Sequence, residues 1–181
     1  MSTPVWYFDG RAGRSDMLAQ LVQQFATAMQ EISGSATSDP LERLEAEMKS
    51  ATSSYILDPR LERLFPPASD DAEDAAEFRK HAITQQAADR LVAANTVLDG
   101  LEGAEDDEVE VDEDQIDAWV KTLSALRASW HVELTGSTER LAEPRLQDFE
   151  QKQAVAAVCD WLGYLVEEAL QSRATMRGEE A

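Results

Sequence analysis

The sequence predicts an all-α protein, a helical bundle of five or six helices that carries one small two-stranded β element. Apolar residues recur at α-helical spacing over most of the chain, and three of these periodic stretches are long. Strand signals are confined to the β-prone N-terminal segment and to residues near 108–111, which alternate with a period of two. These patterns favour helices packed on one another, with a strand pair attached.

Length and composition favour one domain. The chain has 181 residues, of which 43% are hydrophobic and 29% are charged, which suits a single folded core and excludes a disordered or collagen-like chain. We expect a strand and turn segment over residues 1–14, one helical domain over 15–173 with an acidic loop over 102–115, and a frayed tail over 174–181.

The N-terminal segment has a strand signal followed by a helix signal. Val5–Phe8 consists of β-branched and aromatic residues, and Ser15 is positioned to cap the helix that follows. Gly34 ends this helix. Its apolar face is formed by Leu18, Leu21, Val22, Phe25, Met29 and Ile32.

Two Asp-Pro pairs mark further helix starts. Asp39-Pro40 and Asp58-Pro59 each place an N-cap aspartate before a proline in the first turn, where a missing N–H costs nothing. The second helix must stop before a following proline pair, because the residue ahead of proline disfavours helix. Ser69 opens the longest periodic stretch, which should end near Gly100 or Gly103.

The second half of the chain alternates one strand with two helices. Glu108-Val-Glu-Val predicts a short edge strand that pairs with Val5–Phe8. Asp112 or Asp114 should cap the next helix, which Gly136 ends. The last helix should run from about Gln147 to Arg173, with its apolar residues facing the core.

Charge is the most unusual property of the composition. The chain has 16 Lys and Arg against 36 Asp and Glu, a formal net charge of -20. Binding to duplex DNA requires clusters of basic residues that neutralise phosphates. We therefore expect no tight binding to generic DNA. The charge favours a solubilising surface and is compatible with docking onto a basic protein by electrostatic steering.

Several features indicate the cellular compartment. No apolar run approaches the roughly 18 residues of a membrane span, and Met1–Asp9 lacks the basic and apolar regions of a secretory signal. The chain has a single cysteine, Cys159, which excludes an internal disulfide. We expect a cytoplasmic protein that does not contact membranes.

Motifs of catalysis and of cofactor binding are missing. His81, His131 and Cys159 are far apart in sequence, so they lack the spacing of a zinc site. The ten carboxylates of residues 102–117 lack calcium-loop spacing, and a solvated loop is the favoured interpretation. No phosphate loop, dinucleotide fingerprint or nucleophile elbow occurs. We therefore expect no enzyme activity, and no catalytic, cofactor-binding or metal-ligating residue.

Five residues are candidates for function. Trp6, Glu108, Glu110 and Asp112 form the predicted interaction surface, although position alone does not decide whether Trp6 lies in the core or on a binding surface. Cys159 is the one candidate redox thiol. It is disfavoured because its helical apolar surroundings and the adjacent Asp160 both oppose the thiolate.

An ordered set of helix motifs resembles a known family. The motifs are Asp39-Pro-Leu, Asp58-Pro-Arg-Leu-Glu-Arg-Leu-Phe-Pro, Asp74-Ala-Ala-Glu-Phe-Arg, Ala118-Trp-Val-Lys-Thr-Leu-Ser-Ala-Leu-Arg and Cys159-Asp-Trp-Leu-Gly-Tyr-Leu. In this order they resemble an actinobacterial family long catalogued as a domain of unknown function, with members described as oxidative-stress transcriptional regulators (AosR-like). The likeness extends over about residues 18–170.

The resemblance implies a cytoplasmic helical protein that acts through partners such as an alternative sigma factor. It also implies oxidant sensing through a cysteine pair near the N-terminus, but residues 1–25 contain no cysteine. Relatives have Asn-Asp where this chain has Ser124-Ala125. Any disulfide switch that survives here must therefore link two chains through Cys159.

Three functions follow as hypotheses. The first is a non-enzymatic regulator, linked to oxidative stress and transcription, that binds a sigma factor, polymerase or another basic protein. The second is a helical adaptor or structural module, with proteolysis as one possible link. The third is an enzyme of unknown chemistry. A homodimer is left open beside each of them.

Overall fold

The computed structural model describes residues 4–34, 59–65, 74–104, 108–139 and 142–179. The chain is mainly helical with one two-stranded antiparallel sheet, which confirms the predicted class. In chain order the elements are β1 (Pro4–Asp9), α1 (Arg14–Ser33), α2 (Pro59–Leu64), α3 (Asp74–Glu102), β2 (Glu108–Asp112), α4 (Ile116–Thr135) and α5 (Phe149–Glu179).

The bundle has fewer helices than predicted. In the described residues four long helices, α1, α3, α4 and α5, build the bundle, and the short α2 lies beside it. The expected bundle of five or six helices is therefore not met. The second Asp-Pro start gives only the six-residue α2, because Pro66 and Pro67 follow it directly. The helix starts expected at Asp39 and Ser69 lie outside the described residues.

The long helices pack in a simple order. α1 packs on α3, α3 on α4, and α4 on α5, while α2 rests against α4. Gly100 of α3 lies where a Cβ atom would come within 3.2 Å of the Trp119 ring, so glycine allows this close approach. Leu162 of α5 is fully buried, in agreement with the predicted apolar face. Across the described ranges no helix has the length and apolar character needed to cross a bilayer.

The sheet pairs the two segments that the sequence indicated. β1 and β2 are antiparallel, with Trp6 opposite Val111 and Phe8 opposite Val109. The register shifts between Pro4 and Trp6, so Val5 is an additional residue in β1, as in a β-bulge. Both Val5 and Trp6 consequently face inward. The predicted strand pairing is confirmed, and the bulge is a feature that period-two alternation did not indicate.

The helix ends are partly as predicted. Gly34 and Gly136 adopt left-handed conformations at the ends of α1 and α4, as expected. The side-chain caps predicted for α1 and α4 are wrong, while those predicted at Asp39 and Asp58 lie outside the described residues. α1 begins after the left-handed Gly13, with the Ser15 N–H bonded to the Gly10 carbonyl, and neither α1 nor α4 has a side-chain cap.

For α4 the preceding residue is Gln115, not the expected Asp112 or Asp114. A three-residue turn follows β2, and the Gln115 N–H bonds the Asp112 carbonyl. The turn therefore moves the helix start beyond both aspartates.

The last helix extends further toward the C-terminus than expected. α5 runs from Phe149 to Glu179, whereas the sequence predicted an end near Arg173 and a frayed tail from 174 onward. Met176 packs, partly buried, against the hydrophobic core, and Arg173 and Arg177 bind the turn after β2. These contacts hold the last turns of α5 in place, and the predicted tail is corrected to helix as far as residue 179.

Candidate interaction surface

The two faces of the β1–β2 sheet differ in chemistry. On the inner face, Trp6, Phe8, Val109 and Val111 are buried. The side chains that alternate with them point outward and are exposed, and they define the outer sheet face: Tyr7, Asp9, Glu108 and Glu110. Tyr7 lies opposite Glu110, and Asp9 lies opposite Glu108. The outer sheet face therefore presents one aromatic ring among three carboxylates.

The four predicted interaction residues are not brought together. Glu108 and Glu110 lie on the outer sheet face, and the half-buried Asp112 ends β2 opposite Pro4. Trp6 does not belong to this surface, because its side chain is only 2% exposed. The expectation of Trp6 as an interaction residue is wrong, since Trp6 shares with Phe8 the face of β1 that packs against the core.

The Trp6 indole joins β1 to two helices. It meets the Trp119 ring of α4 edge-on, at a centroid distance of 5.5 Å, and its Nε1–H donates to Glu168 Oε2 of α5 at 3.3 Å. The other Glu168 oxygen accepts a hydrogen bond from the Tyr164 hydroxyl at 3.0 Å. This bond and the nearby carboxylate charge raise the pKa of Tyr164. Glu168 therefore satisfies a buried donor and anchors the strand.

Asp9 is neutralised within its own turn. Its carboxylate accepts the Arg11 backbone N–H at 3.1 Å and the Arg14 guanidinium at 2.6 Å. The Arg11 backbone hydrogen bond is the main cause that lowers the pKa of Asp9, and the Arg14 charge and hydrogen bond add to it. Both nearby arginines are thus engaged at the Asp9 end of the outer sheet face.

Glu108 and Glu110 have no such neutralisation. Within the described ranges, neither carboxylate forms an ion pair with Lys or Arg. Two like charges on the same face of one strand repel each other. A cationic group supplied by another molecule would relieve this repulsion, so this pair of carboxylates can bind a cation.

The turn after β2 and the start of α4 are acidic as well, but Glu113 and Asp117 are paired with arginine. Glu113 accepts hydrogen bonds from Arg173 at 3.1 Å and from Arg177 at 2.6 Å, and Asp117 accepts from Arg173. The Arg177 hydrogen bond is the main cause that lowers the pKa of Glu113, and Arg173 adds to it. The two arginines lie four residues apart on α5. This ion-pair cluster joins the C-terminal half of α5 to the start of α4.

Cys159 lies in α5 with 7% of its surface exposed. Burial is the main cause that raises the pKa of its thiol, and the Asp160 charge adds to it, while Arg127 acts in the opposite direction. A raised pKa lowers the thiolate fraction, and the thiolate is the reactive form. The low reactivity that the sequence indicated agrees with this environment.

The described surface also has two shallow grooves. The larger is about 640 Å³ and lies between α1 and α3, over Ala19, Leu98 and Leu101, with three glutamines along its α1 side. The smaller is about 390 Å³ and lies between Val5 and the C-terminal half of α5. Among the described residues no three His, Cys, Asp or Glu side chains are arranged to hold a metal ion.

A family comparison places the chain. Residues 7–172 match DUF2017, a domain of unknown function, over most of the length. The chain belongs to this family. No curated protein and no solved structure matches it. In this member of DUF2017, the matched range includes the whole outer sheet face and Glu113, and it ends one residue before Arg173, the partner of Glu113.

Two groups of functional candidates escaped the sequence reasoning. Tyr7 and Asp9 share the outer sheet face with Glu108 and Glu110, and the alternation of β1 was the signal that could have found them. Arg173 and Arg177 could not have been paired with Glu113 from sequence, because the partners are 60 and 64 residues apart.

Proposed function

We propose that this protein is a non-enzymatic regulator that binds a basic protein partner through its outer sheet face. The observation that carries the proposal is that Glu108 and Glu110, beside the exposed ring of Tyr7, have no Lys or Arg partner in the part of the chain that the structure describes. Tyrosine is enriched in protein interfaces because its ring buries area while its hydroxyl stays hydrogen-bonded. The combination suits recognition of a protein surface.

Charge supports the same partner class. A formal net charge of -20 attracts cationic proteins over distances up to about the Debye length, roughly 8 Å at physiological salt, and raises association rates. Carboxylates on an exposed face add mainly to the association rate and to specificity. A basic protein that arrives at the outer sheet face would gain from both effects.

The resemblance to AosR-like regulators supplies a more specific partner. We propose that the partner belongs to the transcription machinery, as a sigma factor or RNA polymerase, that the role is linked to oxidative stress, and that the setting is the cytoplasm of an actinobacterium. A DNA-binding sigma factor carries the basic surface that the outer sheet face would complement. Because the chain has a single buried cysteine, the proposed role does not depend on an internal disulfide.

Affinity capture with matched baits tests the proposal. The wild-type chain and the Glu108→Gln/Glu110→Gln double variant are used as baits in lysate of the source bacterium at about 0.15 M salt, followed by identification of the bound proteins. We expect a sigma factor or polymerase subunit to bind the wild type and to be lost from the double variant.

A control bait separates this surface from total charge. Glu31→Gln/Glu150→Gln also removes two negative charges, but at exposed positions in the last turn of α1 and the first turn of α5. It should still capture the partner. Recovery of proteolysis components in place of transcription proteins would overturn the regulator in favour of the adaptor, and equal capture by all three baits would remove the outer sheet face from the proposal.

A further inference from the structure

Part of the acidic segment over residues 108–117 is bound within the molecule itself. Arg173 and Arg177 lie one helical turn apart on α5, and both reach Glu113 in the turn that follows β2. Side chains four residues apart lie on the same face of a helix. A helix that presents two cations at this spacing therefore binds Glu113, and through Arg173 also Asp117. Glu108 and Glu110, at the start of the segment, have no such partner among the described residues.

The spacing of the unpaired carboxylates fits a second helix of this kind. Residues two apart on a strand lie about 6.6 Å apart along it, and Glu108 and Glu110 are so related on β2. Residues four apart on a helix lie about 6 Å apart along its axis. A helix that lies parallel to β2 therefore places two cations over Glu108 and Glu110 at the same time.

Tyr7 favours arginine in one of these two positions. Its ring lies opposite Glu110 on the neighbouring strand and is 50% exposed. A guanidinium can pair with a carboxylate through its planar edge and stack on an aromatic ring through its face. Tyr7 and Glu110 together offer both contacts to the same side chain.

We propose that the outer sheet face binds a helix of the partner protein that presents two basic residues, at least one of them arginine, four positions apart. The inference rests on the proposed function and names the element that the partner uses. The helix lies along β2 and makes two ion pairs with Glu108 and Glu110. Its arginine stacks on Tyr7. Within the molecule α5 also presents two arginines four positions apart, and there both reach one carboxylate, that of Glu113.

Two peptides of identical composition provide the test. Both are alanine-rich helices with a fluorescent label, one with two arginines at positions i and i+4, the other with arginines at i and i+2, which lie on different helix faces. Anisotropy titrations at about 0.05 M salt measure their affinity for the full chain. We expect the i, i+4 peptide to bind at least about fivefold more tightly, since only it forms both ion pairs.

Three protein variants locate the effect. The preference should disappear in Glu108→Gln/Glu110→Gln, weaken in Tyr7→Thr, and persist in Glu31→Gln/Glu150→Gln, which has the same net charge as the first variant. Circular dichroism and tryptophan emission check that each variant is folded.

Other outcomes overturn the inference. Equal affinity for the two peptides would show that only total charge is sensed. A preference that persists without Glu108 and Glu110 would show that the peptide binds another surface. Tighter binding of the i, i+2 peptide would indicate an extended strand, in which residues two apart share a face. Neither outcome changes the expected result of the capture experiment, because a transcription protein can bind through an element other than such a helix. The two proposals can therefore fail separately.

Discussion

The inner and outer faces of the β1–β2 sheet are built by alternate residues of the same two strands, yet they serve different ends. Trp6, Phe8, Val109 and Val111 bury their side chains against Trp119 and the bundle. Their neighbours leave one ring and three carboxylates in solvent. The inner face contributes to the stability of the fold, and the outer face contributes charge.

The difference separates stability from recognition in a short stretch of chain. A change on the outer face can alter binding without loosening the core, because successive side chains of a strand point to opposite sides. A change on the inner face removes packing for the whole sheet. Substitutions at neighbouring positions should therefore differ strongly in their effect on unfolding.

The largest expected effect is on the inner face. Phe8→Ala should lower the free energy of unfolding by about 3–5 kcal/mol, because a fully buried ring leaves a cavity beside Trp6 and Trp119. Tyr7→Ala should cost below about 1 kcal/mol, since its ring is half exposed. Urea unfolding measures both. Similar losses for the two variants would contradict the assignment of the faces.

A smaller effect is expected where the inner face meets α5. Glu168→Ala leaves the buried Trp6 indole N–H without its acceptor, which should cost about 1–2 kcal/mol and shift the tryptophan emission. Glu167→Ala, at the exposed neighbouring position, is the control and should leave both unchanged. If Glu168→Ala melts like the control, the indole hydrogen bond contributes nothing to stability.

The ion pairs of Glu113 and Asp117 should contribute to stability in a way that depends on salt. Arg173→Ala should lower the thermal midpoint at low salt, because Glu113 and Asp117 lose their common partner. The difference from wild type should shrink at about 1 M salt, where the Debye length is about 3 Å. Lys121→Ala on α4 removes one charge without breaking this cluster. A salt-independent loss in Arg173→Ala would point to packing and not to charge.

Acid should remove the contribution of Glu113 to stability. The folded-state pKa of Glu113 is lowered, so its contribution is present at neutral pH, begins to fall near the unfolded value of about 4.3, and is lost as the pH falls through the folded value. Glu113→Gln should therefore weaken the decline of the thermal midpoint between about pH 5 and pH 3. A decline in Glu113→Gln as steep as that of the wild type would contradict the pairing with Arg173 and Arg177.

The smallest effect is expected at Cys159, an inward-facing residue of a reactive type. Burial raises the pKa of its thiol, so mild peroxide should produce no covalent dimer and Cys159→Ala should bind partners as the wild type does. Non-reducing electrophoresis and the capture experiment measure these results. A peroxide-dependent dimer that is absent from Cys159→Ala would restore oxidant sensing between chains.

Sequence patterns predicted those features of the fold that depend on a single helix or strand. The helical spacing of the apolar residues gave α1, the Val109 and Val111 alternation gave β2, and Gly34 and Gly136 gave two helix ends. The caps expected at Ser15 and Asp112 were wrong, because turn geometry moved the helix starts and a residue type alone does not fix a turn.

The candidate surface was only half predictable. Glu108 and Glu110 followed from the alternation of β2. Alternation also places Trp6 and Phe8 on one face of β1, but only the packing of the sheet on the helices decides that this face is the buried one. The Arg173 contact with Glu113 joins distant parts of the chain, so only the packing of α5 beside the turn reveals it.

The pairing of β1 with β2 also sets an order of events during synthesis. β1 leaves the ribosome first, but its partner strand lies about 100 residues later, and at roughly 5–20 residues per second that is a wait of about 5–20 seconds. Throughout this interval the apolar, β-prone run from Val5 to Phe8 has no sheet to join, and such runs are prone to aggregate or to be held by chaperones. The oldest strand of the nascent chain is thus the one whose place in the core is completed late.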